Sequence, residues 1–103
     1  NNGAISNLPE DAIVEVSCVV GRYGIQPIHV GKLPGPIAAT LTNHIATQKL
    51  TVEAAVTGDR DTAYRAFLQD PQISSKLTLE ETERLLDDML NAHAKYLPTF
   101  FKK

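Results

Sequence analysis

The chain has 103 residues, 43 % of them hydrophobic and 21 % charged, which gives room for one small core and excludes both a disordered tail and a membrane protein. Ten Lys and Arg stand against twelve Asp and Glu, a formal net charge of -2, so no basic face is expected and nucleic acid is not an expected partner. No apolar run approaches the roughly 18 residues that a membrane-spanning helix needs, and Cys18 is the single cysteine, so no internal disulfide can close and a reducing, cytoplasmic setting is expected.

The opening Asn1 to Leu8 lacks the charged start and apolar stretch of a signal peptide. A domain of this size buries only about 60 to 70 % of its unfolded surface, and the chain reads as a piece of a longer protein. After a loop ending at Pro9, the alternation of Ala12, Val14, Val16, Cys18 and Val20 against Glu15 and Ser17 predicts a half-buried strand. Gly21-Arg22-Tyr23-Gly24 turns the chain into a second strand, Ile25 to Val30, placed at an edge because Pro27 has no amide hydrogen for an interior ladder. The expected hairpin covers about residues 12–30.

Pro36 suits a first helical position, and a helix is expected over about 36–57. Its inner stripe is Ile37, Leu41, Ile45, Gln48, Val52 and Val56, at spacings of four, four, three, four and four. Gly58 stops it. Asp59 can cap a second helix over about 60–69, with Ala63, Ala66 and Phe67 inside, before Asp70-Pro71 ends it. Thr78 and Glu81 stand in capping-box spacing, so a third helix over about 79–97 carries Leu79, Leu86, Met89, Leu90, His93 and Leu97 inward, until Pro98. Glu80 with Arg84, and Arg84 with Asp88, are expected to pair along its wet face. Lys102 and Lys103 are expected to fray. The result is a single α+β unit over residues 1–103, a β-hairpin followed by about three helices.

Little in this pattern carries chemistry. His29, His44 and His93 fall on a strand, a helix middle and a helix end, with no Cys or carboxylate at ligand spacing to join any two. His29 is read as a surface residue, His44 as bordering the helix stripe, and His93 as packed in the core. Cys18 is placed among valines on a buried face, away from the base or helix N-terminus that would activate it. The acidic group Glu80, Glu81, Glu83, Asp87 and Asp88 is read as the solvated side of an amphipathic helix rather than an acid–base pair. Gly-Arg-Tyr-Gly and Leu-Pro-Gly-Pro lack the strand, loop and helix order of a phosphate cradle. No catalytic, cofactor-binding or metal-binding residue is assigned.

The literal residues say more. Asn1-Asn2-Gly3-Ala4-Ile5-Ser6-Asn7-Leu8-Pro9-Glu10-Asp11-Ala12-Ile13-Val14-Glu15-Val16 opens the chain, followed by Gly24-Ile25-Gln26-Pro27-Ile28 and Val30-Gly31-Lys32-Leu33-Pro34. Leu50-Thr51-Val52-Glu53-Ala54-Ala55-Val56-Thr57-Gly58-Asp59-Arg60 comes next, and Ala92-His93 with Tyr96-Leu97-Pro98 closes the series. In this order they resemble the C-terminal part of family-4 glycoside hydrolases, a group that includes 6-phospho-α-glucosidases, 6-phospho-β-glucosidases, α-galactosidases and uronidases. The resemblance implies the end of a lactate/malate dehydrogenase-like C-terminal domain, behind a dinucleotide-binding domain.

It also implies NAD and a divalent metal such as manganese in the parent protein, with oxidation at the sugar C3, elimination of the aglycone, addition of water and return of the hydride, outside the usual two-carboxylate scheme. The parts for that chemistry belong to earlier segments of family members. Cys18, the histidines and the tyrosines do not occupy their motifs, and Ser17 stands where relatives often have Pro. Asn1 and Gly3 lie in the family's Asn-x-Gly-x-Ile stretch, and Asn1 is the one residue expected to line the substrate pocket, against a turn or capping role. The chain alone is expected to be inactive, its partners being the remainder of the glycosidase, further copies in a homo-oligomer and, in the parent, a glycoside. A self-contained interaction module and the tail of a 2-hydroxy-acid dehydrogenase stay open as alternatives; the Leu50 to Arg60 run argues against the second.

Overall fold

Pro34 and Pro36 bracket the point where the chain passes from extended backbone into its longest helix, as a residue without an amide hydrogen is tolerated at a helix start. A computed structural model describes residues 1–101; the expected fraying of Lys102 and Lys103 lies outside the described residues. Two short strands, β1 (Cys18–Gly21) and β2 (Gly24–Pro27), are followed by α1 (Gly35–Thr57), α2 (Arg60–Gln69), α3 (Pro71–Ser74) and α4 (Leu79–Ala92). Two 3-10 turns, Ala94–Tyr96 and Pro98–Phe101, end the described chain. Compact packing divides it into Asn1–Ile45 and Ala46–Lys103.

In the first unit β1 and β2 pair antiparallel, with Cys18 opposite Pro27 and Gly21 opposite Gly24. Arg22 and Tyr23 keep ordinary negative φ while Gly24 takes φ +101°, a conformation that glycine supplies at little steric cost. The core gathers Ile5, Leu8, Ala12, Ala38 and Ile45, with Val14, Val16 and Leu33 packed against it. The expected strand from Ala12 is thus correct in its inward residues as far as Val16 and wrong beyond. Residues 12–17 form no ladder, and Cys18 and Val20 are exposed, Val20 by 76 %. A lone two-stranded ribbon has no second layer to cover either of its faces.

The second unit packs Ala54, Ala63 and Leu86 together, with Tyr64, Phe67, Leu90 and Phe100 around them. Leu86 is only 2 % exposed, and burial of such a side chain contributes about 1.5–3 kcal/mol. Ala54 of α1 and Ala63 and Ala66 of α2 are buried, and with Phe67, Leu97 and Phe100 they line an apolar hollow of about 190 Å³. Helix α2 begins where Asp59 accepts the Thr62 amide at 2.8 Å. Asp70 ends it and at once caps α3 by accepting the Gln72 amide at 2.8 Å, so Asp70-Pro71 is a restart as well as a stop. Thr78 and Glu81 form the full capping box of α4.

Two stripes differ from expectation. On α1 the buried residues are Ala38, Ile45 and Ala54, while Ile37, Leu41, Val52 and Val56 are exposed, the last two by 64 % and 75 %. Lys49 and Glu53 are the only Lys, Arg, Asp or Glu residues in this helix, so its apolar residues run almost all round and spacing cannot select one face. On α4 Leu86 and Thr82 are buried, and Leu79, Met89 and His93 are exposed. That helix ends at Ala92 rather than near residue 97, with His93 as its C-cap. The chain then tightens into 3-10 turns.

Candidate functional site

The opening loop of the first unit is organised by Asn1. Its carboxamide oxygen accepts the Ile5 amide at 2.7 Å, and its nitrogen donates to the carbonyls of Ile5, Leu8 and Pro9 at 2.9, 3.1 and 3.1 Å. Asn2 and Gly3 form the corner of a tight turn, with φ +45° and +80° and the Ala4 amide bonded to the Asn1 carbonyl at 2.9 Å. Two successive positive φ values are what Asn-Gly is suited to supply. Asn7 fastens the other side, exchanging two 2.9 Å bonds with the main chain of Leu33.

This loop borders an open hollow of about 570 Å³, lined among others by Asn1, Gly3, Val14, Glu15, Cys18 and His29. Asn1, the expected substrate-lining residue, therefore reaches the hollow with its carboxamide already engaged by loop backbone. Cys18 is exposed rather than packed, its thiol directed to the Val16 carbonyl at 3.4 Å; a residue on a two-stranded ribbon without a covering layer stays in solvent. His29 is exposed, as expected, and so are His44 and His93. The core position expected for His93 is lost because the helix ends there and the chain turns away.

The acidic residues of α4 have structural partners. Arg60 Nε donates to Asp87 at 2.9 Å, and its terminal nitrogen lies 2.8 Å from Asp87 and 3.2 Å from Glu83. The Asp87 hydrogen bond, then Glu83, holds the guanidinium above its ordinary pKa. Arg84, expected to pair with Glu80 and Asp88, forms no ion pair among the described residues. Glu81 accepts the Thr78 amide at 2.8 Å and its hydroxyl at 2.9 Å, which lowers the Glu81 pKa. Asp59 is lowered likewise, first by the Thr62 hydroxyl and then by the Thr62 amide. These carboxylates are caps and tethers.

The clamp by Arg60 and the loop bonds of Asn1 escaped the sequence reading. Asn-Gly at 2–3 signals the turn; nothing in the linear order joins residue 60 to residue 87. Among the described residues no three His, Cys, Asp or Glu side chains gather to hold a metal ion. No glycine-rich loop leads from a strand into a helix, since Gly31 and Gly35 are separated by Lys32, Leu33 and Pro34. No catalytic step is assigned to the described residues.

Residues 1–73 match the family described as "Family 4 glycosyl hydrolase C-terminal domain". The chain belongs to this family. The family-4 chain is 41 % identical to an alpha-galactosidase of Bacillus subtilis (strain 168) over 97 % of its own length and 23 % of the relative's. It is 42 % identical to a probable 6-phospho-beta-glucosidase of the same organism over its full length and 23 % of that protein. Its fold superposes with TM-score 0.85 and 36 % identity on a crystal structure of a 6-phospho-alpha-glucosidase from gut microorganisms in complex with NAD and glucose-6-phosphate, over 95 % of this chain and 22 % of that one. A second 6-phospho-alpha-glucosidase, in complex with NAD and Mn2+, gives TM-score 0.83 at 29 % identity, over 91 % of this chain and 21 % of that one. The family-4 chain thus spans less than a quarter of the length of these relatives. The dehydrogenase-tail alternative gives way to this match.

Proposed function

We propose that this chain is the C-terminal part of a longer family-4 glycosidase, where it supports the substrate pocket and contacts between subunits of a homo-oligomer. The observation that carries the reading is the match of essentially the whole chain to under a quarter of glycosidases of several sugar types. The exposed Ile37, Val52 and Val56 of α1 support it, since a helix apolar on nearly all sides calls for further protein around it. In this reading the parent hydrolyses 6-phospho-glucosides or α-galactosides with NAD and a divalent metal such as manganese, held by residues outside this chain, and the chain alone is inactive. Asn1 lines the pocket through the turn it holds rather than through its carboxamide. The enzyme works in the cytoplasm; no helix among the described residues is long and apolar enough to cross a membrane.

A chimera tests this. The chain replaces the corresponding C-terminal part of the Bacillus subtilis alpha-galactosidase, and turnover of nitrophenyl α-galactoside is measured with NAD and Mn2+. The chimera is expected to turn over where the truncated relative does not. In parallel, calorimetry of the chain alone with NAD and Mn2+ is expected to give no saturable heat. A folded chimera without turnover, or saturable NAD binding by the chain alone, overturns the proposal.

A further inference from the structure

Five asparagines stand in the chain, and Asn2 is the one followed by glycine. The others are held in place. Asn1 and Asn7 have carboxamides engaged by loop backbone, while Asn43 and Asn91 lie within α1 and α4, where the amide of the next residue is tied into the helix. Asn2 is exposed, and among the described residues its carboxamide has no hydrogen-bond partner.

The neighbouring nitrogen is equally open. The amides of Asn2 and Ala4 donate to the carbonyls of Glu10 and Asn1 at 2.9 Å each, but the Gly3 amide between them donates to no carbonyl among the described residues. A Cβ at position 3 would meet nothing within 4 Å, so the peptide joining Asn2 to Gly3 can rotate without collision. Both residues line the open hollow, which gives water access to them.

We propose that Asn2-Gly3 is a self-modifying site, at which the chain converts Asn2 to isoaspartate with water as the co-reactant. The Gly3 nitrogen attacks Cγ of Asn2, and the new N–C bond closes a cyclic succinimide as the bond from Cγ to the carboxamide nitrogen breaks. Ammonia leaves with the proton that the Gly3 nitrogen gives up. Water then opens the ring, giving aspartate where it attacks the side-chain carbonyl and isoaspartate where it attacks the main-chain one; nothing is oxidised or reduced. Ring closure swings the Gly3 nitrogen toward Cγ and so releases the turn bond from Ala4 to Asn1. One bond of that kind keeps the folded rate within about tenfold of the unfolded one. Isoaspartate lengthens the main chain by one methylene and adds a carboxylate at the lip of the hollow. A tight turn cannot absorb the extra atom, so the loop that Asn1 fastens to Ile5, Leu8 and Pro9 loosens.

The chain is held in mildly alkaline buffer, folded and in denaturing urea, and sampled over time. Ammonia release, peptide mass spectrometry and enzymatic methylation of isoaspartate are the readouts. Asn2 is expected to convert at a rate within about tenfold of the denatured one, with ammonia released in step, isoaspartate among the products, and Asn7, Asn43 and Asn91 intact. Asn2→Gln, whose longer side chain closes its ring far more slowly, is expected to keep its ammonia. A folded rate below that tenfold limit overturns the proposal. So does ammonia release from Asn2→Gln at the original rate, or a product that is aspartate alone, the mark of direct hydrolysis. The converted chain is expected to be cut faster by protease within residues 1–12, and unchanged cutting overturns the loosening of the loop.

Discussion

Gly58 is the residue at which a single methyl group has the largest expected effect. It ends α1 with φ +70°, its amide donating to the Ala54 carbonyl at 2.8 Å, and a Cβ placed there would come within 2.5 Å of the Thr99 carbonyl oxygen and 2.7 Å of its carbon. Two costs therefore add for Gly58→Ala. A left-handed backbone costs an L residue about 1–2 kcal/mol, and forcing atoms into occupied space costs about 1–3 kcal/mol. The sum, about 2–5 kcal/mol, is a large share of the roughly 5–15 kcal/mol that holds a typical domain folded. Because the obstacle is backbone, no rotamer change relieves it. Urea unfolding followed by far-ultraviolet circular dichroism measures the loss, and the same substitution in a chain ending at Leu97 separates the two costs. There only the backbone cost of about 1–2 kcal/mol remains, so the cycle gives a coupling of about 1–3 kcal/mol. A loss below about 1 kcal/mol in the full chain, or an undiminished loss in the shortened one, refutes the argument that Thr99 is seated on Gly58.

Asn1→Ala removes four bonds to the loop backbone and is expected to cost about 1–3 kcal/mol, with proteolysis of the Asn1–Ala12 loop rising in step; unchanged stability and nicking would show that the loop holds without it. Acid should weaken the fold through Glu81 and Asp59, whose pKa values are lowered from the ordinary 4.5 and 3.8. A depressed folded pKa gives stability that is complete above the unfolded value and is lost as pH falls through the folded one. The unfolding midpoint should therefore fall below about pH 4.5, and Glu81→Gln should flatten part of that fall, a response absent if the capping carboxylate is idle. Cys18 is exposed, so it should react with a thiol reagent at close to the rate of an unfolded peptide, and Cys18→Ser should change stability by less than about 0.5 kcal/mol; slow labelling would mean that the hairpin is covered.

Local signals were legible and facing was not. Thr78 with Glu81 located the start of α4, and Asp59 with Asp70-Pro71 bounded α2, because caps are read by groups within a few residues of each other. The stripe on α1 failed for a different reason. Ile37, Leu41, Val52 and Val56 are as apolar as any core residue, yet the described contacts use the smaller Ala38 and Ala54, and the pattern cannot tell which side a larger protein would cover. Likewise the alternation from Ala12 to Val20 describes an extended segment correctly, but inward and outward have meaning only where a second layer exists, and that layer stops at Val16. At the candidate site, Asn1 was visible as a residue and its four loop bonds were not, since they depend on the turn at Asn2-Gly3.

Gly58, Asp59 and Arg60 stand next to one another in the run by which the family is recognised, and each fastens something different. The first seats the Thr99 turn, the second starts α2, and the third clamps Asp87 and Glu83 of α4. Three neighbouring letters therefore spell a mechanical joint. A search built on those letters would gather proteins that bend alike at this corner, whatever sugar they cleave, and an alpha-galactosidase and a 6-phospho-beta-glucosidase answer to this chain with nearly equal identity. Sorting such proteins by substrate calls for a different stretch of sequence from the one that finds them.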